Sequence, residues 1–216
     1  MPFLMTHLHV AKNLYTSRRV AVQDLSQFYL GVAAPDAVHN RPNYISDYKK
    51  ASHLVVGDEP WGSITNNNEW RDNVLSFLHE HGDDVEADFL TGYCVHILTD
   101  IYNNVNVWTP FKQKHQDEWA LYDRVYGDES TATDIVLALN PQNHDDFWIS
   151  LQASKPLDFY GLISGEELEI QKQYILHSWY AGVTAPDTAS HIVVSAESTL
   201  KLISNATEFV AEALGV

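Results

Sequence analysis

Apolar residues along the chain recur mostly at three- and four-residue intervals, and three stretches open with the chemistry of a helix start. Ser164-Gly165-Glu166-Glu167 precedes a run carrying Leu168, Ile170, Tyr174, Ile175, Trp179 and Tyr180. Ser and Glu three apart form a capping box, in which each side chain satisfies a backbone N–H that the helix cannot. Thr184-Ala185-Pro186-Asp187 carries the same signature, with Pro where its missing N–H costs nothing, ahead of Ile192, Val193, Ala196, Leu200, Ile203, Phe209 and Val210. Thr131-Ala132-Thr133-Asp134 predicts a third start before Ile135–Leu139, and Asn140-Pro141 predicts its stop.

The central segment, Asp84 to Asn103, has no Pro and one Gly, and Phe89, Tyr93, Ile97 and Ile101 give it an apolar stripe. Val20 to Leu30 reads as the first helix, ending at Gly31. From Ala33 to Trp70 the pattern breaks: Pro35, Pro42, Pro60, Gly57, Gly62 and Asn66-Asn67-Asn68 mark loops. Alternating strand patterns, repeats and linkers are missing. These patterns predict one all-α domain over residues 1–216, a multi-helix bundle with a loop-rich insertion after its first helix.

Composition narrows the function classes. Apolar residues make up 45% and charged residues 19%, the balance of a globular chain. A net charge of −16 repels polyphosphates, so nucleic acid is not an expected partner. Cys94 is the one cysteine, which excludes an intrachain disulfide. No stretch reads as a signal peptide or a membrane span, and the expected location is cytoplasmic. Eleven histidines raise the question of metal binding.

The strongest local signal is Gly92-x3-His96-x3-Asp100. On a helix these residues share one face, one turn apart, so imidazole and carboxylate can meet a single divalent ion, and Gly92 lets a backbone or ligand approach. The alternative is a core histidine bonded to a helical Asp. Asp36, after Pro35, is a metal ligand or a turn residue; His53 is a ligand or a surface histidine. Of His7 and His9, two apart, only one can face a site. His79 and His81 read as a polar helix end with Gly82 as its cap. His115 and Glu118 form a helical pair three apart. His144-Asp145 matches the doublet of HD-type phosphohydrolases, or else marks a helix start where Asp145 and Asp146 suit the dipole. The tryptophans read as core or pocket walls, and Cys94 as packed rather than nucleophilic.

Taken in order, Thr6-His7, Gly31-Val32-Ala33-Ala34-Pro35-Asp36, Ser52-His53 and Phe89-Leu90-x-Gly92-x3-His96-x3-Asp100 resemble the zinc-dependent phospholipase C family, over roughly residues 5–105. The resemblance implies an all-α fold around a polynuclear zinc site. It assigns Asp36, His53, His96 and Asp100 to one metal, with Asp100 bridging to a second held by His7, and it selects His7 over His9. It also implies hydrolysis of a small-molecule or lipid phosphoester by metal-activated water, with Asp36 as a ligand that doubles as a base.

The sequence departs from that pattern after Asp100. Asn103, Asn104 and Asn106 stand where the family has a further histidine, and Lys114 with Glu118 stands where it has a His-x3-Glu pair. One or two ions, zinc or another divalent metal, are therefore expected rather than three. Two alternatives to a phosphoric ester hydrolase follow: a non-catalytic descendant with a residual or structural metal, and an HD-type phosphohydrolase built on His144-Asp145.

Overall fold

The computed structural model describes residues 3–83 and 86–216, with the side chains of 142–145 outside that description. It is all-helical, 69% of it helix, with no strand among the described residues beyond an isolated bridge between Phe159 and Ile163. The helices are α1 (Leu4–Thr16), α2 (Leu25–Ala33), α3 (Ser46–Ser52), α4 (Asn67–His81), α5 (Ala87–Asn103), α6 (Thr109–Lys114), α7 (Trp119–Ala138), α8 (Pro141–Ala153), α9 (Gly165–Tyr174) and α10 (Ala196–Leu214). One π-helical turn, Asn104–Trp108, joins α5 to α6, and a second, Ile175–Trp179, follows α9. None of these helices is long and apolar enough to cross a membrane.

Helix α5 is the axis. Phe89, Leu90, Tyr93, Val95, Ile97, Leu98 and Ile101 are all buried, so it is apolar around most of its circumference, and α1, α2, α4 and α10 pack about it. The closest approach is to α2. A Cβ on Gly92 would lie 2.0 Å from the Phe28 carbonyl oxygen, and one on Gly31 would lie 2.0 Å from that of Phe89. Each glycine is thus a notch that admits the other helix's backbone. Gly31 sits inside α2 rather than ending it: the helix runs from Asp24, whose carboxylate accepts from Ser26 and Gln27 N–H, through to Ala33.

The Ser164 box is present in full, with Ser164 Oγ accepting from Glu167 N–H and the Glu167 carboxylate from Ser164 N–H. The other two boxes are not helix starts. Around Thr131 the chain is already helical from Trp119; Thr131 Oγ1 donates to the Gly127 carbonyl one turn back, and Asp134 is drawn away by tertiary partners. After Thr184 the chain is irregular until α10 begins at Ala196, capped by Ser195. The reason is Glu129 on α7. Its carboxylate accepts from three successive amides, Ile192, Val193 and Val194, donors that a helix would have used internally. Gly82 follows α4 with φ −63°, an ordinary right-handed conformation rather than a left-handed cap. Helix α8 does begin at Pro141, as expected, and His144 and Asp145 lie outside the described side chains. The start at Asp84 is likewise outside the described residues, and α5 begins at Ala87.

Helix α1 was not part of the sequence expectation, although Leu4, Leu8, Ala11 and Leu14 are buried at intervals of three and four. Its first turn is held by a buried carboxylate. Asp134 accepts from Met5 N–H at 2.9 Å and from Tyr180 OH at 2.6 Å. Burial nevertheless outweighs these bonds and pushes Asp134 up to about 7. Between pH ~4 and ~7 the folded chain therefore holds a proton that the unfolded chain has released, and this contribution to stability is lost as pH rises through that window. Its size is on the order of 4 kcal/mol. Asp134→Asn should flatten the decline measured by denaturant unfolding at about pH 5 and about pH 7. Equal slopes in the two proteins would show that Asp134 does not hold the proton.

Candidate metal centre

Five side chains from four segments meet under α5: His7 from α1, Asp36 from the 3₁₀ turn Pro35–Asn40 that follows α2, His53 at the end of α3, and His96 and Asp100 from α5. The region expected to be loop thus carries short helical turns, and these aim Asp36 and His53. His7, His53, His96 and Asp100 are buried, whereas the Asp36 side chain is 30% exposed. His9 points elsewhere, edge-on to Phe147 with ring centroids 5.6 Å apart.

Two of the imidazoles are fixed by helix ends. The last carbonyls of a helix lack intrahelical donors. His96 Nδ1 donates to one of them, the Val32 carbonyl of α2, at 2.7 Å; His53 Nδ1 donates to the Lys49 carbonyl of α3 at 2.9 Å, which also accepts from His53 N–H and Ser52 Oγ. A carbonyl can only accept, so both Nδ1 atoms carry the proton and both Nε2 atoms carry a lone pair. The end of α3 is itself held in place: Trp70 Nε1 donates to the His53 carbonyl at 2.6 Å, and Tyr93 OH donates to the Ser52 carbonyl.

The lone pairs have no protein partner. His53 Nε2, His96 Nε2, both ring nitrogens of His7 and Asp100 Oδ1 are buried without a hydrogen bond. Leaving such groups unsatisfied costs about 1–3 kcal/mol each, so their convergence calls for an explanation. Their spacing supplies one. A tetrahedral ion with bonds of about 2.1 Å sets its ligand atoms roughly 3.4 Å apart. His53 Nε2 lies 3.5 Å from Asp36 Oδ1 and 3.5 Å from Asp100 Oδ2, and His96 Nε2 lies 3.8 Å from Asp100 Oδ2. His7 Nε2 lies 3.5 Å from Asp100 Oδ1, with its ring stacked on His96 at a centroid distance of 3.7 Å. The donors fall into two overlapping groups, Asp36-His53-His96 and His7-His96-Asp100. This buried His/Asp set fits a metal ion in donor type and in spacing.

Electrostatics agree with that fit. Burial lowers all three histidines well below their usual range, to about 4 for His96, so each is neutral, the form that ligates. Burial also pushes Asp100 up to about 8. For Asp36 burial acts in the same sense, but the Lys49 ammonium, hydrogen-bonded to it at 2.8 Å, overcomes it and holds the carboxyl well below its usual range. One carboxylate is thus ionised and balanced by lysine, whereas burial favours the neutral form of the other near neutral pH.

The later candidates do not join the site. Lys114 and Glu118 are exposed, and His115 stacks on Tyr122 at 3.7 Å. Asn104 is tied into the scaffold, donating to the Ile64 carbonyl and to Asn67 Oδ1. His79 is exposed on α4, and Cys94 is buried with its thiol pushed up by burial, so it packs rather than reacts. Sequence reasoning missed Lys49, four residues before His53; a lone basic residue in a loop-rich stretch carries no signal that it will be drawn under a carboxylate. No protein-family model, no curated protein and no solved structure matches this chain.

Proposed function

We propose that this chain is a metal-dependent phosphoric ester hydrolase of the phospholipase C type. The observation that carries the proposal is the convergence of unpartnered Nε2 atoms of His53 and His96 with carboxylate oxygens, His53 Nε2 lying 3.5 Å from both Asp36 Oδ1 and Asp100 Oδ2 and His96 Nε2 3.8 Å from Asp100 Oδ2. The resemblance to the zinc-dependent phospholipase C family, made on the same residues, supports it. Zinc suits a set of two imidazoles and two carboxylates, and a divalent ion there would lower the pKa of a water and neutralise charge on a phosphoryl oxygen.

A single ion is favoured over two. An imidazole Nε2 has one lone pair, so His96 cannot serve both donor groups. With His96 assigned to Asp36, His53 and Asp100, a second ion would keep only His7 and Asp100 Oδ1, too few to hold it. The chain's own residues then divide the work. The Val32 and Lys49 carbonyls lock the two ring tautomers. Asp100 releases its proton on ligation. Asp36, the exposed member, faces the route by which substrate arrives, and its low pKa makes it a ligand rather than a strong base.

A second reading, a non-catalytic protein with a structural metal, is favoured by the near-complete burial of the other four residues. Protein purified without chelator should contain about one divalent ion per chain and hydrolyse a generic phosphomonoester or phosphodiester. A bound ion without hydrolysis selects the structural reading, and no ion rejects both. His144→Ala should leave metal content and rate unchanged, whereas an HD-type site would lose both.

A further inference from the structure

Asp36 is where the buried cluster meets solvent, and it does so in the lining of a cleft of about 520 Å³. That volume is in the range of small-molecule sites. Lys49 lines the cleft with Asp36, as do His39, Trp61, Tyr174 and Trp179. Lys49 has a side chain only 12% exposed, and its Nζ sits over the Trp61 ring, 4.7 Å from the centroid. Tyr174 and Trp179 form a second aromatic wall, with ring centroids 5.6 Å apart and planes 33° apart. Asn40 and Gln171 are hydrogen-bonded to each other at 3.2 Å, so the polar part of the lining is largely self-satisfied.

Once Asp36 ligates an ion, as the proposed function requires, its negative charge is shared between that ion and Lys49, which is then less fully compensated. Among the described residues lining the cleft, Lys49 is the one lysine or arginine. A largely buried ammonium that is not fully compensated is costly, and an anion offered by a ligand relieves that cost. The same ammonium occupies the Trp61 face and repels a second cation from it. The rest of the wall is aromatic, with Trp179 also stacked on Tyr180 at 5.4 Å, and offers ring faces and edges to a neutral ring.

We propose that Lys49 binds the phosphoryl anion of the substrate and that the Tyr174–Trp179 wall takes a neutral aromatic group, so that the preferred ligand is an aryl phosphoester rather than one bearing a quaternary ammonium. This rests on the hydrolase reading above. Phosphonates, whose C–P bond is not hydrolysed, separate binding from turnover. Dissociation constants of phenylphosphonate, methylphosphonate and 2-(trimethylammonio)ethylphosphonate are measured by calorimetry on the zinc-loaded protein, with zinc content determined on the same sample. Phenylphosphonate should bind about tenfold more tightly than methylphosphonate, and the trimethylammonium compound no more tightly than methylphosphonate. Lys49→Met should weaken all three by about tenfold, and Lys49→Arg should restore them. Trp179→Leu should remove the advantage of the phenyl group alone. Tightest binding by the trimethylammonium compound, or a Lys49→Met protein with unchanged affinities, overturns the proposal while bound zinc leaves the hydrolase reading standing. Absence of zinc overturns both.

Discussion

Asp100→Asn should lose its divalent ion and any phosphoester hydrolysis while the protein stays folded. Asp100 supplies Oδ2 to the group formed with His53 and His96, at 3.5 and 3.8 Å, and its Oδ1 has no hydrogen bond within the chain. An amide cannot bring the negative charge that offsets a divalent ion in a buried site. Changes one layer further out already cost 10–100-fold in affinity, so the loss here should be about 100-fold or more. In chelator-treated protein the substitution should be mild. Burial pushes Asp100 up to about 8, so near neutral pH the native side chain is mostly an uncharged acid, close in shape to Asn. Its unfolding free energy should change by about 1 kcal/mol or less. Adding zinc should raise the melting temperature of the wild type only, because an ion that binds the folded chain stabilises it by mass action. Full zinc content in the variant would remove Asp100 from the site.

Gly92→Ala should be far more damaging to the fold, although it adds a single methyl group on a helix that alanine otherwise favours. The added carbon would stand 2.0 Å from the Phe28 carbonyl oxygen and 3.0 Å from Val32 N. Both are backbone atoms, so no rotamer change relieves the contact and α2 must move away from α5. Overpacking of this kind costs about 3 kcal/mol or more where the obstacle is main chain. The site moves with the helix, since the Val32 carbonyl that fixes His96 Nδ1 is on α2. Denaturant unfolding should show the loss of stability, and metal titration should show weakened binding in whatever fraction remains folded. A variant with wild-type stability would mean that the two helices are not packed at this distance. Gly31→Ala, which meets the Phe89 carbonyl at 2.0 Å, should behave alike.

The sequence by itself determined the helical class and the placing of His96 and Asp100 on one helix face. Helix periodicity is a local property, and His96 and Asp100 share a face because four residues make about one turn. Gly92 was legible for the same reason, as a missing side chain on that face. Helix starts were less secure. A capping box is a local preference worth about 1 kcal/mol, and tertiary partners outweighed it twice: Glu129 took the amides of 192–194, and Asp134 was recruited to Met5 and Tyr180. Only the tertiary structure decided that Asp36 and His53 arrive beside His96, that His115 and Glu118 do not, and that Lys49 pairs with Asp36. These are contacts between segments far apart in the chain or turned by short irregular elements. Their geometry is set by which backbone carbonyls and core faces meet, which no spacing along the sequence encodes.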